Sequence, residues 1–129
     1  MTAVRPAVPA EYVTARSVLE AAMLEVGPGA LRRSSVLVAA SDGRVLGALV
    51  LAGSEIDAVA VRPGRRGQGI GSLLVRAAAA RRPALSASFD PALEPFYASL
   101  GFEIVREGGR CRGTLRGPRG PDGTREPDG

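Results

Sequence analysis

Apolar and polar residues follow two rhythms along this chain, and the switches between them mark its elements. Thr2–Ala7 is short and strand-compatible, ending around Pro6 and Pro9. From Ala10 to Val26 the positions Ala15, Leu19, Ala22, Met23 and Val26 recur at helical spacing, and Gly27-Pro28-Gly29 stops the run. Two apolar runs follow, Val36–Ala40 and Val45–Leu51, joined by Ser41-Asp42-Gly43-Arg44. Asp-Gly between such runs predicts a tight hairpin, because a primed turn demands positive φ at its central residues. A further strand is expected over Glu55–Val61, bounded by Gly53 and Pro63.

The texture then changes to a glycine and arginine loop, Pro63–Gly69, opening a helix over Ile70–Arg82. Ile70, Leu73, Leu74, Ala77 and Ala78 form its apolar face, and Pro83 ends it. Ala84–Phe89 reads as a short strand. Asp90-Pro91 is a good cap and first-turn pair for a helix carrying Leu93, Phe96, Tyr97 and Leu100 on one stripe, closed by Gly101. Pro95 predicts that this helix starts late or bends. Phe102–Arg106 and Arg110–Arg116 make a last hairpin around Gly108-Gly109, and residues 117–129, without an apolar anchor, read as a disordered tail. Strand, helix, three strands, helix, strand, helix and two strands predict a mixed α/β sheet with helices on its faces, in one domain over residues 1–116.

Composition narrows the chemistry. No apolar run approaches the roughly 18–20 residues of a membrane span. The opening Met1-Thr2-Ala3-Val4-Arg5-Pro6 lacks the core of a secretory leader, so a cytoplasmic location is expected. One cysteine, Cys111, excludes an internal disulfide framework, and with no histidine a metal site is not expected. The net charge is +4 and every basic residue is arginine. These arginines are scattered in ones and twos, and aromatics are only 4%, which argues against nucleic-acid binding.

A phosphate-bearing ligand is a more specific use for arginine. In Arg65-Arg66-Gly67-Gln68-Gly69-Ile70-Gly71-Ser72 a strand runs into glycines at the mouth of a helix. The first amides of a helix have no internal acceptor, the helix dipole puts positive charge there, and glycine lets a bulky anion approach. Amides from Gly67 to Ser72 would surround a diphosphate. A lysine-dependent phosphate loop is ruled out because the chain has no lysine, and the dinucleotide pattern fits poorly, with glycines alternating at 67, 69 and 71. The bland reading is a tight strand-to-helix connection and nothing more.

Arg66-Gly67-Gln68-Gly69-Ile70-Gly71 resembles the acetyl-CoA loop of the GNAT-type N-acetyltransferases. Val59-Ala60-Val61-Arg62-Pro63 is similar to the strand end that precedes it, and Phe96-Tyr97-Ala98-Ser99-Leu100-Gly101-Phe102 to the family's Phe-Tyr-x-x-Leu-Gly-Phe segment. The resemblance spans roughly Val4 to Thr114. It implies the acyl-CoA N-acyltransferase fold: a mainly antiparallel sheet splayed at a central β-bulge, between the strands at Glu55–Val61 and Ala84–Phe89. It implies acetyl-CoA as co-substrate. Arg66, Gly67, Gln68, Gly69, Ile70, Gly71 and Ser72 would hold its diphosphate; Val59, Ala60 and Val61 would line the pantetheine arm, with Phe96 beside it.

An N–H near Val59 would face the thioester oxygen, and Tyr97 would protonate the leaving thiolate, unless it is only core. Glu55, or less favoured Asp57, would take the proton of the amine; both are read as sharing one face with Val59. Asp90 stands where relatives commonly carry Asn, and Val26–Ser35 is short for the helix that usually helps to wall the acceptor site. The resulting expectation is direct acetyl transfer to an amine of a small molecule or peptide. The alternative is a catalytically weak acyl-CoA-binding module acting as sensor or partner subunit. A homodimer is compatible with either.

Overall fold

A computed structural model describes residues 1–22 and 34–116. The tail at 117–129, the predicted helical positions Met23 and Val26, and most of Val26–Ser35 lie outside the described residues. The chain forms two compact units that divide between Ala77 and Ala78.

The first unit carries β1 (Ala3–Pro6), α1 (Tyr12–Ala21), β2 (Ser35–Ser41), β3 (Arg44–Ala52), β4 (Glu55–Val61) and the start of α2 (Ile70–Arg81). Its strands pair antiparallel, β1 with β2, β2 with β3 and β3 with β4. The β2–β3 hairpin is the predicted one: Ser41 pairs with Arg44, and Asp42 and Gly43 take φ of 52° and 78°. Glycine tolerates this left-handed region freely and aspartate better than most residues. Helix α1 begins two residues later than the spacing predicts because Pro9–Glu11 forms a 3-10 turn first. Glu11 accepts from the Val8 N–H at 3.0 Å and from both terminal nitrogens of Arg5, at 2.8 and 2.7 Å. These bonds, the Arg5 one foremost, hold its carboxyl down to about 2 and tie β1 to the helix entrance.

Ala15, Val18 and Leu19 of α1 pack on one face of this sheet, against Val36, Val38, Ala48, Val50 and Ala60. On the other face lie Leu49 and Leu51, with Ile70 and Leu74 of α2 close to Gly47. Helices therefore cover both faces. Burying such side chains stabilises by about 1.5–3 kcal/mol each, which is what holds a sheet this apolar against helices.

The second unit carries β5 (Ala84–Phe89), α3 (Glu94–Ser99), β6 (Glu103–Glu107) and β7 (Arg110–Arg116), with β7 pairing antiparallel to both β5 and β6. Asp90 caps a 3-10 turn by accepting from the Ala92 N–H at 2.8 Å, and α3 starts only at Glu94, as Pro95 predicts. Its end is closed by Gly101 N–H to Ala98 O (3.0 Å) and Phe102 N–H to Tyr97 O (3.2 Å), the paired bonds of a Schellman stop. Cys111 is buried on β7; burial and the Glu94 carboxylate push its thiol pKa up. The element order is the expected one, and the architecture is mixed α/β with seven mainly antiparallel strands among the described residues. Among those residues no helix is long and apolar enough to cross a membrane.

Candidate active site

The site is built where β4 runs into α2. After Val61 the chain turns through Pro63–Arg65, extends at Arg66, and takes φ of 79° at Gly67 and 80° at Gly69 before the helix begins at Ile70. The first helical bond runs from Leu73 N–H to Gly69 O, at 3.1 Å. The amides of Ile70, Gly71 and Ser72 thus precede the first internal donor and open on the helix mouth. No acidic side chain sits in that first turn to neutralise the dipole. A Cβ built on Gly67 or Gly69 meets nothing within 4 Å. The space beside these glycines is open, and the backbone donors, charge and room together fit a diphosphate.

The ring of predicted coenzyme residues divides by role. Ile70 anchors the helix with a buried side chain, Gly71 and Ser72 are half-buried, and Gln68 is exposed. Arg66, expected to help hold the diphosphate, donates its Nε to Val61 O at 3.2 Å and so ties the loop to the strand end. Arg62, named only as part of the strand end, acts as a clamp. Its backbone N–H donates to Leu46 O (2.8 Å) and its Nε to Val45 O (2.6 Å), and an arginine before proline carries no signal of such a clamp.

The β3–β4 register decides which way the β4 backbone points. Gly47 pairs with Val61, Ala48 with Ala60 and Leu49 with Val59. The Arg62-to-Leu46 bond makes Gly47/Val61 a non-hydrogen-bonded pair, and alternation makes Leu49/Val59 another. The N–H and C=O groups of Val59 and Val61 therefore turn away from β3. Those of Ala60 are spent on Ala48, and its side chain is buried under α1, so Ala60 has no backbone group to offer a ligand arm.

A β-bulge is present in β4. Val50 pairs with Ala58 but Leu51 with Ile56, leaving Asp57 as the extra residue. This corrects the expected face-sharing of Glu55, Asp57 and Val59. Leu49 and Leu51 share a face, so their partners Val59 and Ile56 share it too, and Glu55, one residue before Ile56, falls on the α1 face. Asp57 is exposed and Glu55 half-buried.

Tyr97 belongs to the second unit. Its ring stacks on Phe89 (centroids 4.1 Å, 16° between planes) and meets Phe96 and Phe102 edge-on at 5.0 and 5.1 Å. It is 3% exposed, and burial pushes its pKa up to about 12. The hydroxyl thus stays protonated through neutral pH, a proton donor weaker than an exposed tyrosine and unsuited to a base. Because the folded pKa lies above the ordinary value, stability holds below about pH 10 and falls as pH rises towards 12. A Tyr12→Phe variant, in a chain with no tryptophan, isolates the Tyr97 ionisation at 295 nm; its midpoint should lie near 12 or coincide with alkaline unfolding.

The acetyltransferase (GNAT) domain model matches residues 32–104, more than half of the chain. The chain belongs to the GNAT acetyltransferase family. No curated protein sequence matches it significantly. Among solved structures, this GNAT domain is similar to a GCN5-related N-acetyltransferase from Rhodopseudomonas palustris, with TM-score 0.68, 20% identity, and coverage of 90% of this chain and 96% of that one. A Mycobacterium tuberculosis protein solved with CoA and NLQ matches at TM-score 0.77 and 18% identity, over 88% of this chain and 98% of that one. A GNAT acetyltransferase from Elizabethkingia anophelis with acetyl-CoA bound matches at TM-score 0.62 and 17% identity, over 89% and 97%. At these identities they establish the fold, that of the acyl-CoA N-acyltransferases.

Proposed function

We propose that this chain transfers the acetyl group of acetyl-CoA directly to an amine of a small molecule or peptide. The observation that carries the reading is the α2 mouth: positive-φ glycines, amides without helical partners and no acid in the first turn. Gly67, Gln68, Gly69, Ile70, Gly71 and Ser72 bind the diphosphate through their backbone. The groups that Val59 turns away from β3 and the Val61 N–H orient the pantetheine arm, and the Val59 N–H stabilises the oxyanion at the thioester. The coenzyme supplies the activated acetyl group. Glu55, which the bulge re-aims to the α1 face, takes the proton of the attacking amine, with Asp57 as the exposed alternative. Tyr97, protonated at neutral pH, gives its proton to the departing sulfur.

A second reading, an acyl-CoA-binding module of weak activity, draws on the burial of Tyr97 inside an aromatic cluster. Two measurements separate the outcomes. Acetyl-CoA should bind the folded protein by calorimetry, and free CoA should accumulate with at least one member of an amine panel. Absent binding ends both readings; binding without CoA release leaves the module.

A further inference from the structure

Gly47 stands in the middle of an apolar strand, where glycine weakens a sheet unless something must come close. Here something does. A Cβ built on Gly47 lies 2.9 Å from Ala60 O, 3.2 Å from Leu74 Cδ1 and 3.3 Å from Ile70 Cγ2. The first contact is β4 backbone, and the other two are the first turns of α2. The same stretch of β3 is irregular: Ala39 pairs with Gly47 but Ala40 with Val45, so Leu46 is bulged out of register with β2. It is to Val45 O and Leu46 O that Arg62, the last residue before the loop, makes its two bonds.

We infer that Gly47 and Arg62 are positioning residues for the coenzyme: the missing side chain seats the first turns of α2 onto β3, and Arg62 fixes the strand end that launches the loop. This rests on the reading of the α2 mouth as the diphosphate site. Neither residue touches the ligand. Together they set the height of the helix mouth over the end of β4, from which both the diphosphate amides and the Val59 N–H must reach one molecule. A methyl group at position 47 cannot enter without β4 or α2 moving, because its nearest neighbour is a main-chain oxygen. Displacements of a fraction of an ångström at a preorganised site are costly, and about tenfold in affinity is the expected scale.

The test is the CoA dissociation constant by calorimetry, well below the melting temperature, for wild type, Gly47→Ala, Arg62→Ala and Val18→Ala. Val18 is a core residue of α1 and serves as a stability control. Both positioning variants should bind CoA about tenfold more weakly while Val18→Ala, though less stable, binds as wild type does. Folded Gly47→Ala and Arg62→Ala proteins with wild-type affinity overturn the inference, and so does an equal loss in Val18→Ala. Should Gly47→Ala fail to fold, Arg62→Ala decides by the same criterion. A wild-type protein that does not bind CoA overturns the underlying functional reading instead, a distinguishable result.

Discussion

Gly69→Asp should weaken CoA binding by about a hundredfold or more while leaving the protein folded, and Gly69→Asn should weaken it far less. Gly69 directly precedes α2, its carbonyl accepting the first helical bond. Its φ of 80° favours glycine, but asparagine and aspartate bear that region better than other residues, and a Cβ there meets nothing within 4 Å. Steric and conformational costs are therefore nearly equal in the two variants. The difference between them is a negative charge at the mouth, which the helix dipole welcomes for the same reason that it attracts a diphosphate. The aspartate becomes a resident competitor. Calorimetry with CoA and a thermal melt read the two effects apart: affinity lost, melting temperature held or raised relative to Asn. Equal affinities for Asp and Asn would mean that the coenzyme's charge is not met at this helix.

Tyr97→Phe should lower turnover by about a hundredfold while leaving the CoA dissociation constant and the melting temperature nearly unchanged. Phenylalanine keeps the stack on Phe89 and the edge contacts to Phe96 and Phe102, so only the hydroxyl is lost. Tyr97→Ala, by contrast, should cost about 3–5 kcal/mol of stability by emptying a buried aromatic site. The pair separates chemistry from packing. Turnover of Tyr97→Phe equal to wild type, measured with whichever panel amine supports CoA release, would return Tyr97 to the core and leave the thiolate to be protonated by water.

The hairpin at Asp42-Gly43, the late start of α3 at Pro95 and the glycine loop before α2 were all readable, because each is dictated by residues next to one another in the chain. What escaped depends on strand pairing. Nothing in Glu-Ile-Asp-Ala-Val-Ala-Val betrays the bulge, since a regular alternation looks the same with or without an extra residue; only the partner strand shows that Asp57 has none. The side assigned to Glu55 fell with it. Arg66 and Arg62 were likewise invisible as clamps, because a carbonyl acceptor has no sequence identity. Gly47 did leave a trace, a lone glycine inside an apolar run, but its meaning required knowing which helix lay above it.

Cys111 lies out of solvent's reach on β7, its thiol held protonated, and the chain offers no lysine side chain at all. On the proposed acetyl transfer, this chain is thus poorly able to trap acetyl groups on its own side chains. Acetyl-lysine found in a mixed reaction therefore belongs to the recipient and not to this chain, so candidate polypeptide recipients can be screened by digesting the labelled protein and locating acetyl-lysine.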